Sequence, residues 1–542
     1  MSNRFPFFPC SRASFSLFEN EPLAVYARIL SSCFPHTFSV NALSENYENN
    51  LAALKKAMPS EDIFHYVFQT EDGVGCALVY ADGMVNKQLL GDLVARPLSR
   101  LALLKETEKE EKDKNGATVY EMKLSIVRKT VLFPELKEKR NVEETTKEVL
   151  DGNVALLIDG IPVTLVVGAK FLPVRTVMEP PTDVAVKGPR EGFIEDIKVN
   201  MALLRKRLKS PDLRFETTTI GRRSQSVVSL CYLSGIVNEE VKNTVKQRLK
   251  DIDVDCILDS SYISALIAPH PHSVFKQVGT TEKPDILAGK LAEGRVGILV
   301  DGSPIALTVP FLLTEDFQSS EDYFVSPFMA SITRALRFIA LAVAILLPAF
   351  YVSAQLFKMQ LVPLGLMLTI ASSVRELPLS PSLEMLVVLL LLEILKEASI
   401  RMPKYVGMSL SVVGALVLGE TAVSAGFLST PTIIVVAFSG ICLYTVPNFV
   451  ETGSILRWLF LLVAGSLGPF GIVLLLALVL YYLLATDAFH TPLAAPFCPL
   501  TTKDLRDSIV KYNTQSLQKR PKILGSKNQT RMKFRRKEEG NS

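Results

Sequence analysis

One pattern occurs twice in this chain, first as Gly152-Asn-Val-Ala-Leu-Leu-Ile-Asp-Gly-Ile-Pro-Val-Thr-Leu-Val166 and again as Gly294-Arg-Val-Gly-Ile-Leu-Val-Asp-Gly-Ser-Pro-Ile-Ala-Leu-Thr308. In both stretches an Asp-Gly pair separates two short apolar runs. Asp-Gly provides the positive φ angle that a tight hairpin turn requires. Each stretch therefore predicts a β-hairpin, with Asp159-Gly160 or Asp301-Gly302 at its turn. The alternative is that the two aspartates bind a ligand.

A second pair of similar segments precedes these hairpins in the same order. Ala77-Leu-Val-Tyr-Ala-Asp-Gly-Met-Val-Asn86 resembles Ser229-Leu-Cys-Tyr-Leu-Ser-Gly-Ile-Val-Asn238. Two motifs repeated in one order indicate an internal duplication, and the charged insertion Lys105–Lys114 accounts for the unequal spacing. We therefore predict two related α/β subdomains in a soluble region, over residues 51–183 and 184–325.

The composition changes after the second copy. The 542 residues are 48% hydrophobic and 21% charged, and the charged residues are frequent up to Arg337, scarce from there to Ala485 and frequent again afterwards. Long apolar runs that lack charge are typical of membrane helices. We expect an all-α, multi-span membrane bundle over residues 326–490, followed by a basic tail over residues 491–542.

Six apolar segments are candidates for crossing the membrane, which takes about 20 apolar residues in a helix. They predict five or six crossings. The last segment is interrupted at Gly468-Pro469, so it is either a kinked helix or a tight helical hairpin. The segments are Phe338–Phe357, Leu361–Val374, Pro381–Arg401, Val406–Leu428, Thr432–Phe449 and Ile455–Ala485.

The tail has twelve Lys and Arg between Leu500 and Ser542, against four acids. Because Lys and Arg resist translocation, the tail and the large N-terminal region are expected on the inner side of the membrane. That arrangement requires an even number of crossings. The tail is either a disordered, solubilising end or a segment that contacts anionic lipid headgroups.

Three charged residues in the segment Pro381–Arg401 are spaced to lie on one helix face, namely Glu393, Glu397 and Arg401. Charges at membrane depth are costly and usually face water or a partner, so these residues are candidates for a pore or gate. The alternative is an interfacial helix in which Glu397 pairs with Arg401. Glu384 falls on the opposite side of the helix.

Small residues form a stripe in the following segment, and close helix packing is the favoured interpretation over a pore-lining role. The stripe consists of Ser411, Ala415, Gly419, Ala422 and Gly426.

Patterns typical of catalysis are missing. The five histidines lack metal-ligand spacing, the seven cysteines include no CxxC pair, and no phosphate-binding or dinucleotide-binding loop occurs. The net charge of +4 is small for a nucleic-acid-binding protein. We expect no enzyme activity, no cofactor and no metal site.

Several strings resemble the A subunit family of spore germinant receptors, from about residue 50 to residue 495. The first 50 residues and the tail are variable in that family, so residues 1–50 are expected to be an N-terminal extension. The residues of these strings that we expect to have a structural role are Gly188, Pro189, Arg190, Gly192, Phe193, Glu195, Asp196, Asn200, Glu282, Pro284, Asp285, Asp301, Gly302 and Pro304.

The resemblance implies a subunit that acts with a transporter-like B subunit and a lipoprotein C subunit in the spore inner membrane. It also implies a homo-oligomer, expected to be a pentamer, that forms a nutrient-gated channel for monovalent cations. We place the pore along residues 381–401. The alternatives are a non-conducting scaffold, a related sporulation-specific paralogue and a secondary transporter. The transporter is less favoured because such proteins repeat within the membrane domain, whereas the repeat here is in the soluble half.

Overall fold

A computed structural model describes residues 42–113, 118–171, 188–357, 360, 363–374, 377–401, 414, 417–502 and 504–532. The two copies of the repeated pattern fold into two five-stranded antiparallel sheets. The strands of the first are β1 (Ile63–Gln69), β2 (Gly75–Ala81), β3 (Leu136–Lys139), β4 (Val154–Ile158) and β5 (Thr164–Val167). Those of the second are β6 (Leu213–Ile220), β7 (Ser226–Leu233), β8 (Gly279–Thr281), β9 (Val296–Val300) and β10 (Ala306–Val309).

The strand orders of the two sheets are equivalent, β1-β2-β4-β5-β3 and β6-β7-β9-β10-β8. The predicted hairpins are confirmed, since β4 pairs with β5 and β9 with β10. Gly160 and Gly302 have φ angles of 77° and 82° at the turns, which glycine adopts without steric cost. The internal duplication is therefore also a duplication of topology.

Within the described residues of the soluble region, eight helices of eight or more residues cover both faces of the sheets. Alternate residues of β2 enter different cores, so that Leu78 packs with Val127 and Val79 packs with Leu54. This two-sided burial explains why β2 is apolar along its whole length. The helices are α1 (Tyr47–Ala57), α2 (Leu103–Asp113), α3 (Val119–Thr130), α4 (Val142–Leu150), α5 (Ile197–Arg207), α6 (Glu239–Lys250), α7 (Ser260–Ile267) and α8 (Pro284–Glu293).

The turn aspartates connect each hairpin to the helix that opens its subdomain. The backbone N–H of Tyr47 donates to Asp159 Oδ1 at 3.4 Å, and that of Ile197 donates to Asp301 Oδ1 at 3.2 Å. Both aspartates therefore have a structural role at these turns. Because α1 begins at Tyr47, the first subdomain starts before the predicted boundary at residue 51.

Five helices of more than ten residues follow the second sheet in the described part of the chain, and we call them the apolar bundle: α9 (Pro327–Phe357), α10 (Leu364–Val374), α11 (Pro381–Arg401), α12 (Thr430–Leu443) and α13 (Val450–Ala485). Within the described residues, two helical segments are long and apolar enough to cross a membrane, 327–357 and 447–485. Helix α12 is apolar but shorter. Helix length and composition therefore support two membrane-crossing segments among the described residues, and the predicted five or six crossings are not established.

Of the predicted span Val406–Leu428, the structure describes residue 414 and residues 417–428, and residues 417–424 are helical. A short π-helix at Val417–Thr421 and a three-residue helix at Ala422–Ser424 come before Gly426. Gly426 has a φ angle of 69°, which ends helical geometry at this point.

Helix α13 is a tight helical hairpin and not a kinked helix. Gly468 has φ 64° and ψ −148°, and Pro469 follows it. The ring of Phe275 lies 6.3 Å from the ring of Phe449 and 6.0 Å from that of Tyr482, so both ends of α13 meet near one residue. A straight helix of this length would separate its ends by about 50 Å. Each arm is about 26 Å long, close to the thickness of a bilayer core, about 30 Å.

The described part of the basic tail, over residues 491–532, folds back onto the second subdomain. Arg520 Nε donates to the carbonyl of Ala292 at 2.6 Å, and Lys527 Nζ pairs with Glu239 at 3.3 Å. Arg531 likewise pairs with Glu293, so two cations of the described tail are neutralised by acids of the subdomain. Contact of the tail with lipid headgroups stays a prediction.

Candidate functional site

Aromatic rings join the second subdomain to the adjacent end of the apolar bundle. Phe317 stacks on Phe338 of α9 with ring centroids 3.7 Å apart. Phe317 and Phe275 both lie 6.3 Å from Phe449, which precedes α13. A movement of the second subdomain would therefore act directly on α9 and on the hairpin α13.

Buried charges accompany these rings. Arg334 of α9 is fully buried and its Nε donates to Asp322 Oδ2 at 2.9 Å. Its Nη1 donates to Asp507 Oδ1 of the tail at 3.0 Å. Arg337 Nη1 also donates to Asp322, at 2.9 Å. Arg334 thus binds the subdomain, the bundle and the tail together, and we call Phe275, Phe317, Asp322, Arg334, Phe338, Phe449 and Asp507 the junction.

A titratable group lies beside the junction, in the turn that contains Phe317. Burial raises the pKa of Asp316 to about 7, although the neighbouring Lys276 opposes the shift. Burial lowers the pKa of Lys276 in turn. Asp316 therefore changes charge near neutral pH at the contact between the subdomain and the bundle.

The predicted pore residue Glu393 points into the apolar bundle. Its Oε1 accepts from Arg457 Nη2 at 2.8 Å and from Ser454 Oγ at 3.1 Å, both on α13. Lys396 pairs with the other carboxylate oxygen. Arg457 is 1% exposed, so the pair fixes α11 against the hairpin.

The other two residues of the predicted face lie on the outside of the bundle. Glu397 Oε1 accepts from Arg401 Nε at 2.6 Å, and both side chains are more than half exposed. Glu393 has different partners from Glu397 and Arg401, and no contact joins the three. Their role in a pore or gate stays a prediction.

Sequence reasoning missed two arginines that the structure places in buried networks. Arg457 is the one charged residue in the apolar run Ile455–Ala485, and Arg334 lies at the start of the apolar stretch. An isolated cation in an apolar segment was the available signal, since such a charge needs a buried partner. Glu384, set aside as lying on the opposite side, is also fully buried and contacts Ser429.

The small-residue stripe is only partly described. Ser411 and Ala415 lie outside the described residues. Gly419 is exposed with open space beside it, and Gly426 follows the end of its short helix. Among the three described members of the stripe, Ala422 packs against a core that includes Leu428. The packing stripe over residues 411–426 stays a prediction.

The family-signature residues connect the start of the second subdomain to its hairpin. Asp196 caps α5 by accepting from Lys198 N at 2.8 Å. The buried Asn200 side chain bonds both the N–H and the carbonyl of Ile194. The N–H of Gly302 donates to the carbonyl of Glu195 at 2.8 Å. Asp301 accepts from the Ile197 N–H at 3.2 Å. The contacts of these residues are therefore structural ones within the second subdomain.

The second group of signature residues holds neighbouring segments. Phe193 is buried, and its N–H donates to the carbonyl of Glu282 at 2.7 Å. Pro284 opens α8, with Asp285 in its first turn. Gly188 has a φ angle of 116° and lies against the Phe324 ring. Pro189, Arg190, Gly192 and Pro304 lie in the loops beside them.

No group of three or more His, Cys, Asp or Glu that could hold a metal ion occurs within the described ranges.

Known proteins resemble this chain along most of its length. Spore germination protein KA of Bacillus subtilis (strain 168) is 31% identical over 494 residues, which are 90% of this chain and 88% of that protein. The uncharacterized membrane protein YfkQ of the same organism is 32% identical over 481 residues, 88% of this chain and 90% of that protein. Stage V sporulation protein AF is 28% identical over 414 residues, 75% of this chain and 83% of its own.

A solved structure is also similar. It is the crystal structure of the N-terminal domain of the A subunit of the Bacillus megaterium spore germinant receptor GerK3, with 29% identity. The match covers 51% of this chain and 99% of the chain in the crystal structure, with a TM-score of 0.38. The model of the Bacillus/Clostridium GerA spore germination protein family matches residues 51–523. Because that match includes both subdomains, the apolar bundle and most of the tail, the chain belongs to the GerA spore germination protein family.

Proposed function

We propose that this chain is the A subunit of a spore nutrient germinant receptor, and that several copies assemble into a nutrient-gated cation channel. The observation that carries the proposal is a pair of exposed charges, Glu397 and Arg401, on the otherwise apolar outer side of α11. That side presents Leu390, Ile394 and Glu397, which are 46%, 54% and 56% exposed. Charges on apolar helices usually face water or a partner.

In the assembly, the outer sides of α11 from several copies would face one axis. A ring of Glu397 carboxylates at that axis would favour cations over anions. Glu393 has a different role in this proposal. It acts as a positioning residue, since its bond to Arg457 holds α11 against α13 in each copy.

The junction gives the soluble region a means to act on the pore. Arg334 connects the second subdomain and the tail to α9, and α9 packs along α12 and α13. The family resemblance supplies the partners, a transporter-like B subunit and a lipoprotein C subunit in the spore inner membrane. The tail and the soluble region contact each other, so we place both on the inner side, where basic segments are retained.

A scaffold is the second candidate function. It is favoured by the pairing of both predicted pore acids, since Glu393 binds Arg457 and Lys396 and Glu397 binds Arg401. Carboxylates that are paired in this way leave little charge to attract cations. In that case the ions pass through another subunit, and the apolar bundle only anchors the soluble region.

Nutrient-triggered potassium release from spores with Glu397→Gln separates the two functions. The channel predicts that release slows by several-fold, at normal protein level, because the carboxylate ring is lost. Glu451→Gln is the matched control, since Glu451 is an exposed acid of the bundle that does not lie on α11. Unchanged release and ion selectivity in the Glu397→Gln spores would contradict a pore along α11 and favour the scaffold.

A further inference from the structure

A buried carboxylate in the apolar bundle has one oxygen without a partner. Glu384 lies in the first turn of α11 and is fully buried. Its Oε1 accepts from the Ser429 N–H at 2.6 Å and from Ser429 Oγ at 2.7 Å. Its Oε2 has no hydrogen-bond partner in the described parts of the chain.

Other buried oxygens lie next to this carboxylate. Thr432 Oγ1 is 2.8 Å from Ser429 Oγ and 3.4 Å from the Tyr351 hydroxyl. Glu384, Ser429 and Gln355 all lie near that hydroxyl. Both polar atoms of the Gln355 side chain are buried, and neither has a hydrogen bond to a described residue. We call Tyr351, Gln355, Glu384, Ser429 and Thr432 the Glu384 cluster.

The negative charge of an ionised Glu384 would have no neighbouring cation to balance it. No Lys, Arg or His of the described segments forms an ion pair with Glu384, and its surroundings are Val352, Met385, Leu428 and Val436. An ionised carboxylate in apolar surroundings is strongly unfavourable unless a positive charge balances it. The N-terminus of α12, which begins after Ser429, contributes only a partial positive charge.

We propose that the Glu384 cluster binds one monovalent cation, with Glu384 Oε2 and the neighbouring neutral oxygens as ligands. Carboxylate, amide and hydroxyl oxygens are ligands that hard cations prefer. One carboxylate balances a single positive charge, whereas a divalent ion would leave a net charge in the apolar core. The Gln355 amide can turn its oxygen toward the ion while its nitrogen faces away.

The inference deepens the proposed function, since it places a cation inside helices that we propose to conduct cations. Binding itself does not require conduction. The site lies toward the end of the bundle away from the soluble region, because Ser382 packs against Gly465 near the α13 turn. A cation there would connect α9, α11 and the segment before α12.

Thermal unfolding of the purified full-length chain in lipid nanodiscs tests the site. Potassium or sodium chloride replaces N-methylglucamine chloride at constant ionic strength and pH. A bound ion stabilises the folded state, so the melting temperature should rise with cation concentration and then level off. Glu384→Gln keeps the size of the side chain and its contact with Ser429 but removes the charge, so this dependence should disappear. Glu451→Gln should retain it.

Two results would overturn the proposal. A wild-type melting temperature that is insensitive to cations, but shifts with pH in a way that Glu384→Gln abolishes, would mean that Glu384 holds a proton. An equal cation response in Glu384→Gln would place the ion elsewhere.

A second variant keeps the test decisive if Glu384→Gln fails to fold. Gln355→Met removes one ligand of the cation. The cation concentration that gives half of the maximal rise in melting temperature should therefore increase by about tenfold, equivalent to about 1.4 kcal/mol. An unchanged concentration would contradict cation binding by the Glu384 cluster.

Potassium flux through proteoliposomes is measured separately. Cation binding without flux would contradict the channel and leave the site intact.

Discussion

At the scale of single residues, the buried arginines explain how charges are tolerated in the apolar bundle. Arg457 neutralises Glu393, and Arg334 neutralises Asp322. Desolvating such pairs is costly, but removing one partner costs more because an uncompensated charge remains buried. The stability of the bundle should therefore depend on each pair as a unit.

Replacing Arg457 by leucine should destabilise the chain by about 1.5–3 kcal/mol, because Glu393 loses its buried partner and keeps only its ion pair with Lys396. The double variant Glu393→Leu with Arg457→Leu should recover most of that loss, since two apolar side chains replace the pair. Thermal unfolding of the purified protein in detergent measures both. A double variant that is no more stable than Arg457→Leu alone would show that the pair is not the cause.

Asp316 should make the stability depend on pH. Its pKa is raised from 3.8 to about 7 by burial, so the folded state binds more protons than the unfolded state between these values. The free energy of unfolding should therefore fall as pH rises from about 4 to about 7. Asp316→Asn should remove this decrease and be more stable than wild type at pH 8. If the melting curves of both proteins change with pH in parallel, Asp316 does not titrate as described.

At the scale of elements, the direction of α13 depends on one glycine. The positive φ of Gly468 reverses the chain, and the ring of Phe357 lies 2.7 Å from where a Cβ atom would be. A side chain there would be strained and would also push against α9.

Gly468→Ala should therefore lower the stability of the bundle by about 1–3 kcal/mol. Gly419→Ala is the matched control, because no atom lies within 4 Å of the Cβ position at Gly419 and its φ is not positive. The melting temperatures of the two variants are compared in the same detergent. Equal melting temperatures would contradict a hairpin turn at this position.

At the scale of the whole molecule, the junction joins three parts of the chain that lie far apart in sequence. Asp322 belongs to the second subdomain, Arg334 to the bundle and Asp507 to the tail. The tail also contacts Ala292 and Glu239. The described part of the basic tail is thus packed against the soluble region.

Asp507→Ala removes the carboxylate that binds Arg334 and the Tyr323 hydroxyl. Hydrogen bonds to charged groups contribute about 1.5–3 kcal/mol each, so amide hydrogen exchange over residues 504–524 should be at least roughly tenfold faster. Asp253→Ala, which removes an exposed pair with Arg222, serves as the control. Unchanged exchange in Asp507→Ala would mean that other contacts hold the tail.

The sequence by itself determined the local features of this protein. Asp-Gly turns, strand periodicity and repeated motifs depend on residues that are close in the chain, so the two hairpins and the duplication could be predicted from them. The spacing of Glu397 and Arg401 likewise identified their ion pair, one helical turn apart.

Only the tertiary structure decided which distant residues meet. Glu393 finds Arg457 on another helix, and the tail finds acids of the second subdomain, because helix packing brings together positions that no local pattern relates. The choice between a kinked helix and a hairpin at Gly468-Pro469 was open for the same reason. A glycine permits both geometries, and the contacts of Phe275 with Phe449 and Tyr482 select the hairpin.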